Sequence, residues 1–141
     1  MATLVLTDAS VVVNSVDLSD HVKSVTLNYE AEQQDDTVMG EGTRSNKPGL
    51  KNWSVDVEFV QDYAANEVDA TLFSLVGADF PLVIKPTSAA VSSTNPSYSA
   101  NATLSSYQPV GGGVGDLEMA PCTFLPCKGA SGSPILVRAT S

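Results

Sequence analysis

Two stretches of the chain alternate apolar and polar side chains with the period of a half-buried strand. Over residues 22–31, Val25, Leu27, Tyr29 and Ala31 share one face, and Ser24, Thr26, Asn28 and Glu30 share the other. Over residues 53–60, Trp53, Val55, Val57 and Phe59 alternate with Ser54, Asp56, Glu58 and Val60, the clearest β pattern in the chain. Shorter apolar runs predict further strands at 4–6, 11–13, 16–18, 80–85, 97–108, 117–125 and 133–139, with a turn at Asn14-Ser15. Pro121 places the 117–125 strand at an edge or a bulge, because proline cannot donate to a ladder. The period changes once for a full helix. Val68, Leu72, Leu75 and Val76 fall at helical spacing over 66–77, with acids in the first turn and Gly77 as the stop. Residues 18–22 carry a polar pair that starts a single helical turn.

Seven or eight short strands and one helix define a mainly β protein: an antiparallel β-sandwich or barrel with one flanking α-helix and a long inter-strand loop. A length of 141 residues fits one domain, 1–141. Its expected core is Val25, Leu27, Tyr29, Trp53, Val55, Val57, Phe59, Leu72 and Phe73. The long loop spans 32–50. It holds Gln33-Gln34-Asp35-Asp36, two glycines, Arg44, Lys47 and Pro48-Gly49, and its apolar content is little beyond Val38, Met39 and Leu50. Nineteen structureless residues are uncommon in a compact domain, and such loops are usually functional or mobile. The glycine run 111–115 reads as a flexible link, and no internal repeat is present.

Charge narrows the function. The chain carries 16 acids against 7 bases, a formal charge of −9. Residues 1–79 hold 14 of the acids and 4 of the bases, and residues 86–115 carry no charge at all. Binding to nucleic acid depends on Lys and Arg displacing counterions, so this balance excludes DNA binding by charge attraction. With 43% hydrophobic residues the chain is not a disordered acidic tail. The N-terminal run lacks the basic and long apolar regions of a signal peptide, and no segment approaches a membrane span. The sequons at Asn52 and Asn101 are then expected to be fortuitous. On one strand, Cys122 and Cys127 point to opposite faces and lie too far apart for a bridge, unless Pro126 bends the chain. Reduced, packed thiols in a cytoplasmic product are the simpler reading.

No constellation for catalysis survives inspection. His21 is the one histidine and reads as structural or solvent-facing, since zinc wants four ligands. The run Gly129-Ala130-Ser131-Gly132-Ser133-Pro134 superficially resembles a trypsin-like nucleophile loop, but alanine stands before the serine and nothing supplies a buried orienting acid. The glycine run lacks the Lys and Ser/Thr of a phosphate loop. Asp35, Asp36 and Glu41 do not match calcium-loop spacing and read as a solvated acidic loop. The chain is therefore not expected to be an enzyme, and no cofactor or metal is implied.

One ordered set of segments carries a resemblance. The run 16–27 (VDLSDHVKSVTL) is followed by Asp35-Asp36-Thr37-Val38-Met39-Gly40, then by Pro48-Gly49-Leu50-Lys51-Asn52-Trp53-Ser54-Val55-Asp56-Val57-Glu58-Phe59, then by Val68-Asp69-Ala70-Thr71-Leu72-Phe73. Over about residues 10–110 this order resembles the tail tube (major tail) proteins of long-tailed bacteriophages. Residues 119–134 fit that pattern less well. The resemblance implies a virion tail protein, assembled in the host cytoplasm. Its copies would form six-membered rings that stack into a hollow tube, alongside other tail proteins and without a membrane. DNA would pass through the lumen without specific binding. The resemblance also implies that the long loop reaches neighbouring subunits through Gln33, Gln34, Asp35, Asp36, Met39, Arg44, Lys47 and Leu50. Asp56 and Glu58 would line the lumen, or else lie on an ordinary solvated sheet face. Another virion component of similar architecture (a tail terminator, head-tail connector or capsid decoration protein) and a carbohydrate-binding module are the competing readings. The second is poorly served by one Trp and four Tyr.

Overall fold

The computed structural model describes residues 3–130 and 132–141. Ser131, the serine of the protease-like run, lies outside the described residues. The elements in chain order are β1 (Ser10–Val13), β2 (Val16–Asp17), a 3-10 turn (Ser19–His21), β3 (Val22–Asp35) and β4 (Asn46–Val60). Then follow α1 (Val68–Leu72), a second 3-10 turn (Phe73–Leu75), β5 (Asp79–Lys85), β6 (Ser97–Tyr107), β7 (Met119–Pro126) and β8 (Val137–Ala139). All the strands join one antiparallel sheet in the order β2-β1-β5-β6-β7-β4-β3. β8 pairs with the first residues of β6, on the side away from β5, where it continues the row that β7 vacates.

The sheet curls until its ends face each other. Leu27 of β3 and Val55 of β4 line one small apolar gap together with Leu82 and Ile84 of β5, although several strands separate them in the sheet. The core inside this curl is built from alternate residues. Val11 and Val13 enter from β1, Phe80, Leu82 and Ile84 from β5, and Ala102 and Leu104 from β6. Ala120, Cys122 and Phe124 enter from β7, and Trp53, Val55, Val57 and Phe59 from β4. Phe80 and Phe124 meet edge to face, with ring centroids 5.8 Å apart and planes at 84°. Val68, Leu72 and Leu75 of the helical segment close one opening of the curl.

Local chemistry accounts for the corners. The β1–β2 hairpin has two loop residues, Asn14 (φ 50°) and Ser15 (φ 68°), both in the left-handed region that matches strand twist. Gly77 (φ 84°) ends the helical segment in the same region, with the Ala78 N–H donating to the Leu75 carbonyl at 3.0 Å.

Several expectations need correction. The 66–77 helix is a five-residue α-helix followed by a 3-10 turn. Phe73, expected in the core, is 70% exposed. It follows Leu72 directly, so the ~100° step between successive helix positions turns it away from the face that Val68, Leu72 and Leu75 present. Tyr29, also expected in the core, is 53% exposed, while Val25 and Leu27 are only half-buried. Tyr29 lies on the correct face of β3, but at a height where the curled sheet supplies less cover. Residues 4–6 form no strand and are exposed. β7 is an interior strand despite Pro121. The Pro121 carbonyl accepts the Gln108 N–H at 3.3 Å just beyond the end of β6, so its missing donor faces a loop rather than a ladder.

Phe124 is fully buried between β4 and β6 and against Phe80. Phe124→Ala is expected to cost about 3–5 kcal/mol, read as a lower denaturant midpoint with an unchanged slope. A loss under about 1 kcal/mol would contradict this packing.

Candidate functional site

The 32–50 segment is not a structureless loop. β3 runs unbroken to Asp35, and β4 begins at Asn46. Their ladder extends from Val22↔Phe59 to Asp35↔Asn46, with shifts between Val22 and Ser24 and between Ala31 and Gln33. β7 covers β4 only from Val55 to Val60. The ribbon made by the end of β3 and the start of β4 therefore projects beyond the body of the sheet. About eight residues of each strand at ~3.4 Å give it a reach of about 25 Å.

The described contacts place each expected loop residue on this arm. Gln33, Gln34 and Asp35 are strand residues of β3, and Lys47 and Leu50 are strand residues of β4. Asp36, Met39 and Arg44 belong to the remaining loop, 36–45. That loop is pinched at its root. The Ser45 N–H donates to Thr37 Oγ1 at 2.7 Å, Thr37 Oγ1 donates to the Ser45 carbonyl at 3.2 Å, and Arg44 reaches Asp35 at 2.9 Å. Hydrogen bonds from Thr37, helped by Arg44, hold the Asp35 carboxyl below its ordinary range. Asp35 is thus committed to its own turn. At the tip Val38 and Met39 face solvent, Met39 completely.

Apolar side chains cluster where the arm leaves the body. Tyr29, Leu50, Trp53, Pro126, Ile135 and Leu136 line an open groove, and Leu50 is 78% exposed. Trp53 closes the floor by donating its Nε1–H to the Pro134 carbonyl at 2.7 Å. The register also reveals residues absent from the expected set. Glu30, Glu32 and Lys51 lie on the arm beside Lys47. Their signal in the sequence is the segregation of sign: residues 28–36 hold four acids and no base, and residues 42–55 hold three bases and no acid.

Asp56 and Glu58 point away from the core row of Val55 and Val57. They share a shallow polar surface with Ser24, Thr26, Ser106 and Thr123, and the Thr123 hydroxyl donates to Asp56 Oδ1 at 3.0 Å. His21 Nε2 lies 2.6 Å from Glu67 Oε2, 3.5 Å from Asp62 and 3.7 Å from Asp20. This contact ties the first 3-10 turn to the start of α1. Asp20, His21 and Glu67 are the one group among the described residues whose donor atoms could meet on a cation. The Glu67–His21 contact already engages two of those atoms. Nearby, Tyr63 hydrogen-bonds Glu118 at 2.6 Å and the Pro109 carbonyl at 2.8 Å. The Glu118 carboxylate pushes the Tyr63 phenol up to about 12. Cys122 and Cys127 are both free thiols, and among the described residues no helix is long and apolar enough to cross a membrane.

No protein-family model matches the sequence, and neither does any curated protein. The fold does have counterparts. The chain is similar to one from the SPP1 tail tube, with a TM-score of 0.69 and 10% identity over 95% of this chain and 77% of that one. It is similar to a chain from the native gene transfer agent virion, with a TM-score of 0.68 and 11% identity over 94% and 95%. It is also similar to a chain from the tail of the empty gene transfer agent particle, refined with C6 symmetry, with a TM-score of 0.62 and 11% identity over 86% and 83%. The fold of this chain is thus one also found in the SPP1 tail tube and in gene transfer agent particles.

Burial pushes the Cys122 thiol from its ordinary 9.0 up to about 12, because the folded protein disfavours the thiolate. The sign follows from linkage. Below about pH 9 both states keep the proton, and stability is unaffected. Between about 9 and 12 the unfolded chain ionises and the folded one does not, so stability falls as pH rises. A thiol reagent at pH 8 should therefore label Cys127 promptly and Cys122 only on unfolding. Equal labelling rates in the folded protein would contradict the burial.

Proposed function

We propose that this chain is a tail tube subunit whose copies close into six-membered rings and stack into a hollow tube. The tube would belong to a virion tail and be assembled in the host cytoplasm with other tail proteins. The observation that carries the reading is the β3–β4 arm. A two-stranded ribbon standing clear of the core is marginal in water by itself. Its outer edges present unpaired backbone groups, and its tip presents Val38 and Met39. Neighbouring copies would satisfy these edges and cover the apolar groove at the root of the arm. The fold likeness to tail chains, one of them from a tail with C6 symmetry, supports the same reading.

In this reading the polar face of β3, β4 and β7 lines the lumen. Between Ser24 and Glu30, and between Ser54 and Glu58, that face carries hydroxyls, an amide and carboxylates. A surface without cations offers DNA no counterion release, so DNA slides past it.

Concentrated protein should form rings or tubes visible by electron microscopy, and proteolysis within 36–45 should be fast in the monomer and suppressed in the assembly. A chain that stays monomeric at every concentration, with few copies per particle, would point instead to a terminator or connector. Asp56→Lys with Glu58→Lys should leave tube length unchanged and slow genome delivery by these particles. Delivery at the wild-type rate would remove these acids from the lumen.

A further inference from the structure

The arm is electrically two-sided, and its own register does not cancel the difference. Along β3 it carries Glu30, Glu32 and Asp35; along β4 it carries Lys47 and Lys51. Cross-strand neighbours of opposite charge would neutralise one another, but the ladder sets Glu30, Asp35, Lys47 and Lys51 each opposite a neutral residue, and Glu32 falls in the register shift between Ala31 and Gln33. The pairs are Glu30↔Asn52, Ala31↔Lys51, Gln34↔Lys47 and Asp35↔Asn46. Among the described residues the one ion pair on the arm is Arg44 with Asp35. Glu30, Lys47 and Lys51 are exposed and make no ion pair among the described residues.

Both outer edges of the ribbon are also unpaired among the described residues. β3 ends the sheet order, and β4 lacks a second strand before Val55. One free edge is therefore acidic and the other basic. We infer that the acidic β3 edge of one copy pairs with the basic β4 edge of the next, so that arms join side by side, head to tail. This rests on the self-assembly reading above and adds the partner surface and its direction.

The charges select among contacts as well as favouring one. Two acidic β3 edges repel, and so do two basic β4 edges, which disfavours the two-fold dimers that free strand edges otherwise form. The unlike contact remains. It is heterologous, using different patches on the two copies, and such contacts propagate and close into rings. Rotation about an axis along the arms keeps each β3 parallel to the next copy's β3. It therefore lies antiparallel to the β4 it meets, the pairing used throughout this sheet.

The test uses two full-length variants. One reverses the acidic edge, Glu30→Lys with Glu32→Lys; the other reverses the basic edge, Lys47→Glu with Lys51→Glu. Circular dichroism and the denaturant midpoint confirm that each folds. Light scattering and electron microscopy then give the concentration at which each assembles, relative to wild type. Each variant alone should require about tenfold more protein or fail to assemble, since every contact now joins like charges. Mixed in equal amounts, the two should assemble near the wild-type concentration, because alternating copies restore unlike edges at every contact. Added salt should weaken wild-type assembly. Variants that assemble singly like wild type overturn the inference and leave the tube reading standing. Folded variants that fail both singly and mixed, while wild type assembles, overturn it as well. A wild-type chain that never assembles removes the tube reading itself.

Discussion

Between Val55 and Phe59, β4 is paired on both sides, with β3 and with β7, while Val55, Val57 and Phe59 are sealed in the core. That double attachment governs the rest of the molecule. It fixes the height at which β4 leaves the body, and so where β3 loses its cover. The same strand belongs to two environments, a close-packed interior and a solvent-facing ribbon, with Trp53 at the boundary. The free energy that holds the arm in place is not generated within the arm. It comes from apolar area buried by the lower half of the same strand.

The boundary also explains what could be read from the sequence. Where one face of a strand is buried, side chains alternate, and the 22–31 and 53–60 patterns gave their strands directly. The two-residue hairpin at Asn14-Ser15 and the stop at Gly77 were legible because their backbone geometry restricts the residue type. The upper arm carries no such signal. Neither face of 32–35 or 46–50 is buried in the subunit, so Gln, Asp, Asn, Lys, Pro and Gly occupy positions that alternate with nothing. Periodicity reports burial, and strands that a lone subunit leaves exposed read as loop. Tyr29 is the converse case: it keeps the alternation past the point where the core cover ends. The expected loop residues all lie on the arm or its tip, but the acids and lysine that complete its charge pattern emerged only with the register.

Charge has two roles on the two halves of β4. Beside the core, Asp56 and Glu58 stand on a polar face without cations. On the arm, charge is sorted by strand rather than by face, and the formal charge of −9 conceals that sorting. An average over the chain argues against binding nucleic acid by charge attraction. It could not show that Lys47 and Lys51 stand together on one strand of the arm.

The anchoring of Trp53 has a practical consequence. It is the sole indole of the chain, buried at the root of the arm, with its N–H held by the Pro134 carbonyl and its surroundings open to the apolar groove beside Leu50 and Ile135. Tryptophan emission from the unmodified protein, excited beyond tyrosine absorption, therefore originates at the hinge between body and arm. Covering that groove changes the polarity and solvent access around one known fluorophore, so the molecule carries its own optical gauge of what happens there, free of background from any other tryptophan.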